Sequence, residues 1–145
     1  SVQVTAIELS DAALRYVRRN CLHYPKLKVK PIKADVLHDS DIFKDKYDAI
    51  ISNPPYIPSQ DLPNLMREVQ HEPSMALDGG DGLIFYRAIA NYWISKLSNG
   101  GICAVEAGIG QAKLIADIFI NSGLSNVKIY KDLSGIDRVI IGKNS

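Results

Sequence analysis

Polar and apolar residues alternate from the start of the chain. Val2-Gln-Val-Thr-Ala-Ile7 has a period of two and is β-branched, which predicts a strand ending at Glu8. Ser10 then offers a side-chain oxygen to a helix start, and Asp11 an anion to its first turn. Ala13, Leu14, Val17 and Cys21 follow at helical spacing, with Arg15, Arg18 and Arg19 between them. Lys28 to Ala34 predicts a weaker strand ending at Asp35-Val36, and Leu37 to Lys46 a polar loop with one helical turn. Tyr47 to Ser52 predicts a buried strand, built on Ala49-Ile50-Ile51. Residues 57–80 carry prolines at 58, 63 and 73 and predict a long irregular insertion. Its Leu62, Leu65, Met66, Val69, Met75 and Leu77 predict a packed lid.

Between Gly82 and Leu97, apolar residues at 84, 85, 88, 89, 92 and 93 predict a buried helix stopped by Asn99-Gly100-Gly101. Ile102 to Val105 predicts a buried strand. Gln111 to Asn121 predicts a helix that turns Leu114, Ile115, Ile118 and Phe119 inward and closes at Gly123. Val127–Tyr130 and Arg138–Ile141, on either side of Ser134-Gly135, predict a terminal antiparallel hairpin. There are no repeats. Strands alternating with helices predict an α/β class, a doubly wound and mostly parallel sheet forming a single domain over 1–145.

Composition narrows the function classes. At 145 residues, 46% hydrophobic and 23% charged, the chain reads as an ordinary soluble globular domain. A net charge of +1 gives no electrostatic case for direct nucleic-acid binding. Lys26, Lys28, Lys30 and Lys33 cluster, but Pro25 and Pro31 interrupt them, and a solvated edge explains them more simply than a phosphate track. Cys21 and Cys103 form no CxxC and lie in different elements, so both are expected as reduced thiols in a cytoplasmic protein. No run approaches the roughly 18 apolar residues of a membrane span, and no signal peptide is present.

The chemistry concentrates at Asn53-Pro54-Pro55-Tyr56. Two prolines end the preceding strand because they supply no ladder donors, and a residue before proline is driven out of the helical region. Asn53 therefore sits extended at a strand's carboxyl end, where open α/β sheets bind ligands. Its carboxamide offers a planar acceptor and two donors. The Pro54 carbonyl adds a second acceptor, and Tyr56 an aromatic face. The set suits gripping a planar NH2 group. Glu8, a strand-end acid before a capped helix, is a common ribose-binding arrangement.

Asn53-Pro-Pro-Tyr-Ile-Pro58, followed by Glu72-Pro73-x-x-Ala76-Leu77-x-Gly79-Gly80-Asp81-Gly82-Leu83-x-x-Tyr86-Arg87, resembles the release factor glutamine methyltransferases of the HemK/PrmC type. Val105-Glu106-Ala-Gly108-x-x-Gln111 and Asp132-Leu-Ser-Gly-Ile-Asp-Arg138 are similar to that family too. The tetrapeptide alone is shared with amino-directed DNA and RNA methyltransferases. The resemblance implies a class I Rossmann-like fold and methyl transfer from S-adenosylmethionine to the amide nitrogen of the glutamine in a release factor's Gly-Gly-Gln motif. It further implies that Glu8 bonds the cofactor's ribose and that Asp35 and Val36 border its adenine. Asn53 and the Pro54 carbonyl become the catalytic grip on the glutamine NH2, with Pro55 and Tyr56 shaping the pocket and Asn53 also facing the cofactor. No metal and no catalytic His or Cys is implied, and His23, His38 and His71 receive no role.

Other positions carry simpler readings. Asp35 has the competing role of a turn former. Glu72-Pro73 and Gly79–Gly82 read as lid architecture, with Asp81 capping the next helix, and Glu106 is left open. Val105-Glu-Ala-Gly108-Ile-Gly110 mimics a glycine-rich cofactor loop, but only 35 residues follow Gly110, too few for a permuted cofactor half. The resemblance places a first strand and a glycine-rich loop before residue 2. Lacking them, the chain is expected to be an N-terminally truncated catalytic domain that binds cofactor weakly. Two strand edges, on Val2–Ile7 and Tyr47–Ser52, are then expected to be unpaired and open to self-association. The alternatives are an N6-adenine or N2-guanine nucleic-acid methyltransferase, which calls for a basic surface, and a non-catalytic remnant that binds a protein partner.

Overall fold

β1 (Gln3–Glu8) and β2 (Lys28–Lys33) pair in parallel, with Gln3 opposite Lys28 and Glu8 opposite Lys33. They belong to a computed structural model of the chain that describes residues 2–65 and 73–145. Contacts divide the chain into two compact units, Ser1–Phe43 and Lys44–Ser145.

In the first unit α1 (Asp11–His23) joins the two strands and packs against both. It begins as its sequence demands: the Ser10 hydroxyl accepts the N–H of Ala13 at 3.3 Å, satisfying one of the donors a helix start leaves orphaned. Leu14 is the buried anchor of its apolar face, at 2% exposure. Removing such a side chain from water is worth about 1.5–3 kcal/mol. Lys28, Lys30 and Lys33 are exposed on β2, and Lys33 is paired with Asp11 at 2.6 Å. The polar loop after β2 carries a 3₁₀ turn, Ser40–Ile42, and buries Ala34 and Phe43.

The second unit holds a four-stranded sheet in the order β3 (Tyr47–Ser52), β4 (Leu97–Glu106), β6 (Asp137–Lys143), β5 (Ser125–Lys131). β3 and β4 are parallel; β6 runs antiparallel to both β4 and β5, giving the terminal hairpin. Among the described residues β1 pairs with β2 alone and β3 with β4 alone, so each keeps one edge without a strand partner. β4 lies between two neighbours, and Cys103 and Val105 are fully buried along one of its faces. α4 (Ala112–Asn121) covers β5 and β6 with Ile115 and Phe119, both at 0% exposure. Gly123, at φ +94°, lets the chain turn out of that helix.

β3 forms over the expected residues but is not buried: Ala49 is exposed and Ile51 is 78% exposed, because one edge of the strand has no strand partner among the described residues. Four further expectations need correction. First, the helix after Gly82 is not one regular stretch: α3 (Ile84–Ala88) continues into a π turn (Ile89–Trp93) and a 3₁₀ turn (Ile94–Lys96). The buried positions are Tyr86, Ala88, Ile89, Ala90, Trp93 and Ile94, while Ile84 and Tyr92 lie outside. Second, Asn99-Gly100-Gly101 is not a helix stop but an irregularity inside β4, where the register against β3 shifts and Gly100 takes φ +79°. Third, Leu114 is 54% exposed, because the inward positions of α4 are Ala112, Ile115, Ala116 and Phe119. Fourth, the lid is packed only in part. Leu62, Leu65 and Leu77 are half-buried around a 3₁₀ helix (Ser59–Asn64) and α2 (Ser74–Leu77), whereas Met75 is exposed. Met66, Val69, His71 and Glu72 lie outside the described residues. No helix among the described residues is long and apolar enough to cross a membrane.

Candidate methyl-acceptor site

The site residues fall at the carboxyl ends of parallel strands, one set in each unit. In the first unit Glu8 ends β1, and its carbonyl accepts the Ala34 N–H beyond β2 at 3.3 Å. Glu8 Oε1 accepts the Ser10 N–H at 2.7 Å, which holds the carboxylate at the strand-to-helix turn. Asp35 is committed within its own turn. Its Oδ1 accepts the Leu37 N–H at 2.8 Å, Oδ2 meets His38 Nδ1 at 2.9 Å, and its N–H donates to Asp39 Oδ2 at 2.7 Å. The turn-forming role weighed for this aspartate is therefore present. Val36, beside it, is half-buried.

In the second unit Ser52 lies opposite Val105, so Asn53 and Glu106 leave the sheet at the same level. Asn53 is exposed, and Pro54 directly after it is buried. The Asn53 carboxamide makes no hydrogen bond among the described residues, while the chain beneath it is anchored. Pro55 and Tyr56 are half-buried. Beyond them the backbone forms a parallel bridge to the 77–80 segment. Ile57 N–H donates to Leu77 O (3.1 Å), Gly79 N–H to Ile57 O (2.8 Å) and Ser59 N–H to Gly80 O (2.8 Å).

That bridge needs glycine. A Cβ at Gly79 would meet Pro55 O and Tyr56 Cα at 2.8 Å. Asp78 Oδ1 accepts from the Ser59 hydroxyl at 2.6 Å and the Gly80 N–H at 2.9 Å, and these bonds hold its carboxyl below the usual carboxylate range. Asp81 accepts the Leu83 N–H and pairs with Arg87 at 2.5 Å, again lowering its pKa. It makes no cap bond to α3, whose capping position is Leu83. Tyr86 is fully buried and donates to the Glu106 carbonyl at 2.8 Å. Burial, with Tyr56 nearby, raises its phenol far above the ordinary range. The β4–α4 turn thus lies against the Asn53–Tyr56 loop.

Two residues of the quoted motifs received no role from the sequence. Gln111 bonds three separate backbone segments; its signal was the Gly-x-x-Gln spacing before an apolar helix, which lets a side chain reach back to a free N–H. Arg138 Nη1 donates to Ala107 O at 3.1 Å and its Nε to Asp132 Oδ2 at 3.3 Å, tying the hairpin turn to the end of β4. Among the described residues no cluster of His, Cys, Asp or Glu could hold a metal ion.

No family model matches the chain. A release factor glutamine methyltransferase of Caulobacter vibrioides is 38% identical over 141 residues, covering 94% of this chain and 47% of that protein. The solved protein-(glutamine-N5) methyltransferase of Alicyclobacillus acidocaldarius is 25% identical, with a TM-score of 0.54 over 99% of this chain and 80% of that one. Over nearly its whole length the chain is similar to release factor glutamine methyltransferases. It spans about half the length of the curated relatives it matches. A methyltransferase of Pyrococcus furiosus shares the fold at a TM-score of 0.72 and 21% identity, covering 99% of this chain and 63% of that one. The doubly wound α/β class expected from the strand and helix pattern, and the class I Rossmann-like methyltransferase fold that the resemblance implies, are those of these neighbours.

Proposed function

We propose that the protein carrying this chain transfers a methyl group from S-adenosylmethionine to the side-chain amide nitrogen of a release factor's Gly-Gly-Gln glutamine, in the cytoplasm. The observation that carries this reading is the exposed Asn53 carboxamide, without a hydrogen bond among the described residues, on a Pro54-Pro55 turn at a parallel strand's carboxyl end. The similarity supports it, since those curated relatives are named for that substrate.

The chemistry asks for positioning. An amide nitrogen is a poor nucleophile because its lone pair is delocalised into the carbonyl. Asn53 Oδ1 and the Pro54 carbonyl, each accepting one N–H, would orient the nitrogen and raise its electron density. Bound S-adenosylmethionine would supply a methyl group already activated on a sulfonium; the neutral thioether S-adenosylhomocysteine would leave and the one N–H proton released would pass to water, so no strong base is required. Glu8 fits that cofactor: with Oε1 on the Ser10 N–H, Oε2 has no partner among the described residues and can accept from a ribose hydroxyl. Asp35, with both oxygens engaged, contributes to the adenine border through the turn it shapes, alongside Val36.

The test is labelled S-adenosylmethionine with the natural full-length protein and, in parallel, purified release factor, DNA and tRNA. The reading expects label in release factor, lost about 10²-fold or more in Asn53→Ala, the scale of removing one preorganised polar contact in an active site. Label in nucleic acid but not in release factor would overturn it.

A further inference from the structure

Gln111 lies outside the acceptor grip, yet both halves of its carboxamide are used to join three loops. Nε2 donates to the Tyr56 carbonyl at 2.9 Å and to the Gly82 carbonyl at 3.2 Å, and Oε1 accepts the Gly108 N–H at 3.1 Å. The amide has one sensible orientation: turned over, its oxygen would face two carbonyls and its nitrogen an N–H. A carboxylate would offer acceptors only, and an ammonium donors only.

The surroundings are cut to that side chain. A Cβ at Gly82 would come within 2.7 Å of Gln111 Nε2, and one at Gly108 within 2.6 Å of Oε1 and 2.8 Å of Tyr56 Cδ2. Gly82 sits at φ +85°, a left-handed conformation costly for any side chain. Glycine at these two positions therefore gives Gln111 and the Tyr56 ring the same small volume. On its other side Tyr56 is fixed by the Gly79 backbone and the 57–79 bridge.

We propose that Gln111 is the positioning residue of the acceptor site: it locks the Tyr56 carbonyl, and so holds the Asn53–Tyr56 turn in one shape. The inference rests on the acceptor-site reading above. It assigns Gln111 to the acceptor and not to the cofactor.

Hydrogen exchange on the full chain tests the clamp without assuming any reaction. In Gln111→Ala, exchange in peptides spanning 55–59 and 79–83 rises about tenfold or more, while 137–143 keeps its wild-type protection. In methyl transfer the same variant lowers kcat/KM for release factor about 10- to 100-fold, with the KM for S-adenosylmethionine unchanged. Gln111→Glu puts a carboxylate against two carbonyls. Its deficit shrinks as pH falls, because a protonated carboxyl regains one donor, and the wild type shows no such recovery. Unchanged exchange at 55–59 in Gln111→Ala, or an equal rise in cofactor KM, overturns the clamp. Should Gln111→Ala not fold, the Gln111→Glu pH profile decides, and absence of recovery overturns it. A wild-type protein that methylates no release factor overturns the acceptor-site reading alone, and the exchange result still decides the clamp.

Discussion

Asn53 and Pro54 share a turn but have opposite relations to the fold: the asparagine is exposed and makes no hydrogen bond among the described residues, the proline is buried. Replacing Asn53 should therefore cost little stability, within about 0.5 kcal/mol, and act on activity alone. The replacements separate what its carboxamide does. Asn53→Asp keeps acceptor oxygens, whereas Asn53→Ala keeps none, so the expected kcat/KM order is wild type, then Asp, then Ala, at equal melting temperature. Alanine matching or exceeding aspartate would mean that an acceptor oxygen is not the working part. Cys103 supplies a second expectation at this scale. Burial pushes its thiol up to about 12. The folded thiol thus stays protonated where an unfolded one, with a pKa near ~8.5, ionises. Its contribution to stability is full below that value and declines as pH rises above it. Titration with a thiol reagent at pH 8 should label one cysteine quickly, the half-buried Cys21, and the second only on denaturation. Asp132 runs the other way. The N–H groups of Ile136 and Ser134, with Arg138 beside it, hold its carboxyl low. That stabilisation is present above the ordinary carboxylate pKa and lost as pH falls through the folded one, so the 132–138 turn should lose exchange protection in acid.

Strands, at the next scale, carry a liability that their side chains make visible. Among the described residues β3 pairs on one edge only, and Ile51 on it is 78% exposed; β1 likewise pairs only with β2, with Val4 at 44%. A long, flat, apolar edge recruits other chains. The 145-residue chain should therefore show concentration-dependent association by light scattering, and Ile51→Lys should weaken it. A monodisperse monomer at high concentration would sink the idea. The same elements show why some of the fold was legible in the sequence and some was not. β1, β3 and the hairpin announced themselves because their β-branched runs are bounded by Ser10, by Pro54-Pro55 and by Ser134-Gly135, each a physical stop. The Ser10 cap was readable because a hydroxyl before a helical stripe has one good use. The buried face after Gly82 was not fully readable: Ala88, Ile89 and Trp93 lie inside as the stripe predicts, but Ile84 and Tyr92 are exposed and the inward set begins at a tyrosine, Tyr86, that also bonds the Glu106 carbonyl. Nor was the length of β4. Gly100-Gly101 looks like a stop, yet a bulge absorbs it, with the Gly100 N–H donating to Asn144 O at 2.8 Å. Of the site, Asn53 to Tyr56 was legible as local chemistry. Gln111 was not, because its partners Tyr56 and Gly82 are 55 and 29 residues away.

For the whole molecule the deciding property is charge. Seventeen Lys and Arg stand against sixteen Asp and Glu, and the densest lysine group is on β2, where Lys33 is already neutralised by Asp11. A protein that tracks nucleic-acid phosphates releases counterions on binding, and with 6–10 phosphate contacts it loses about 10³–10⁵ in affinity between 50 and 200 mM salt. A site that grips one neutral amide releases none at that point. If the acceptor is a protein glutamine, kcat/KM should change less than about tenfold across that salt range, the residue reflecting ordinary steering between protein surfaces. If it is a nucleobase in DNA or RNA, the rate should follow the steep phosphate dependence even though Asn53-Pro54-Pro55-Tyr56 would look the same. The slope of log kcat/KM against log salt, measured in parallel with release factor and with DNA or tRNA as acceptor for the natural full-length protein, distinguishes the two classes. Methylation of nucleic acid with a slope steeper than about −3, and none of release factor, would assign the same tetrapeptide grip to a nucleobase.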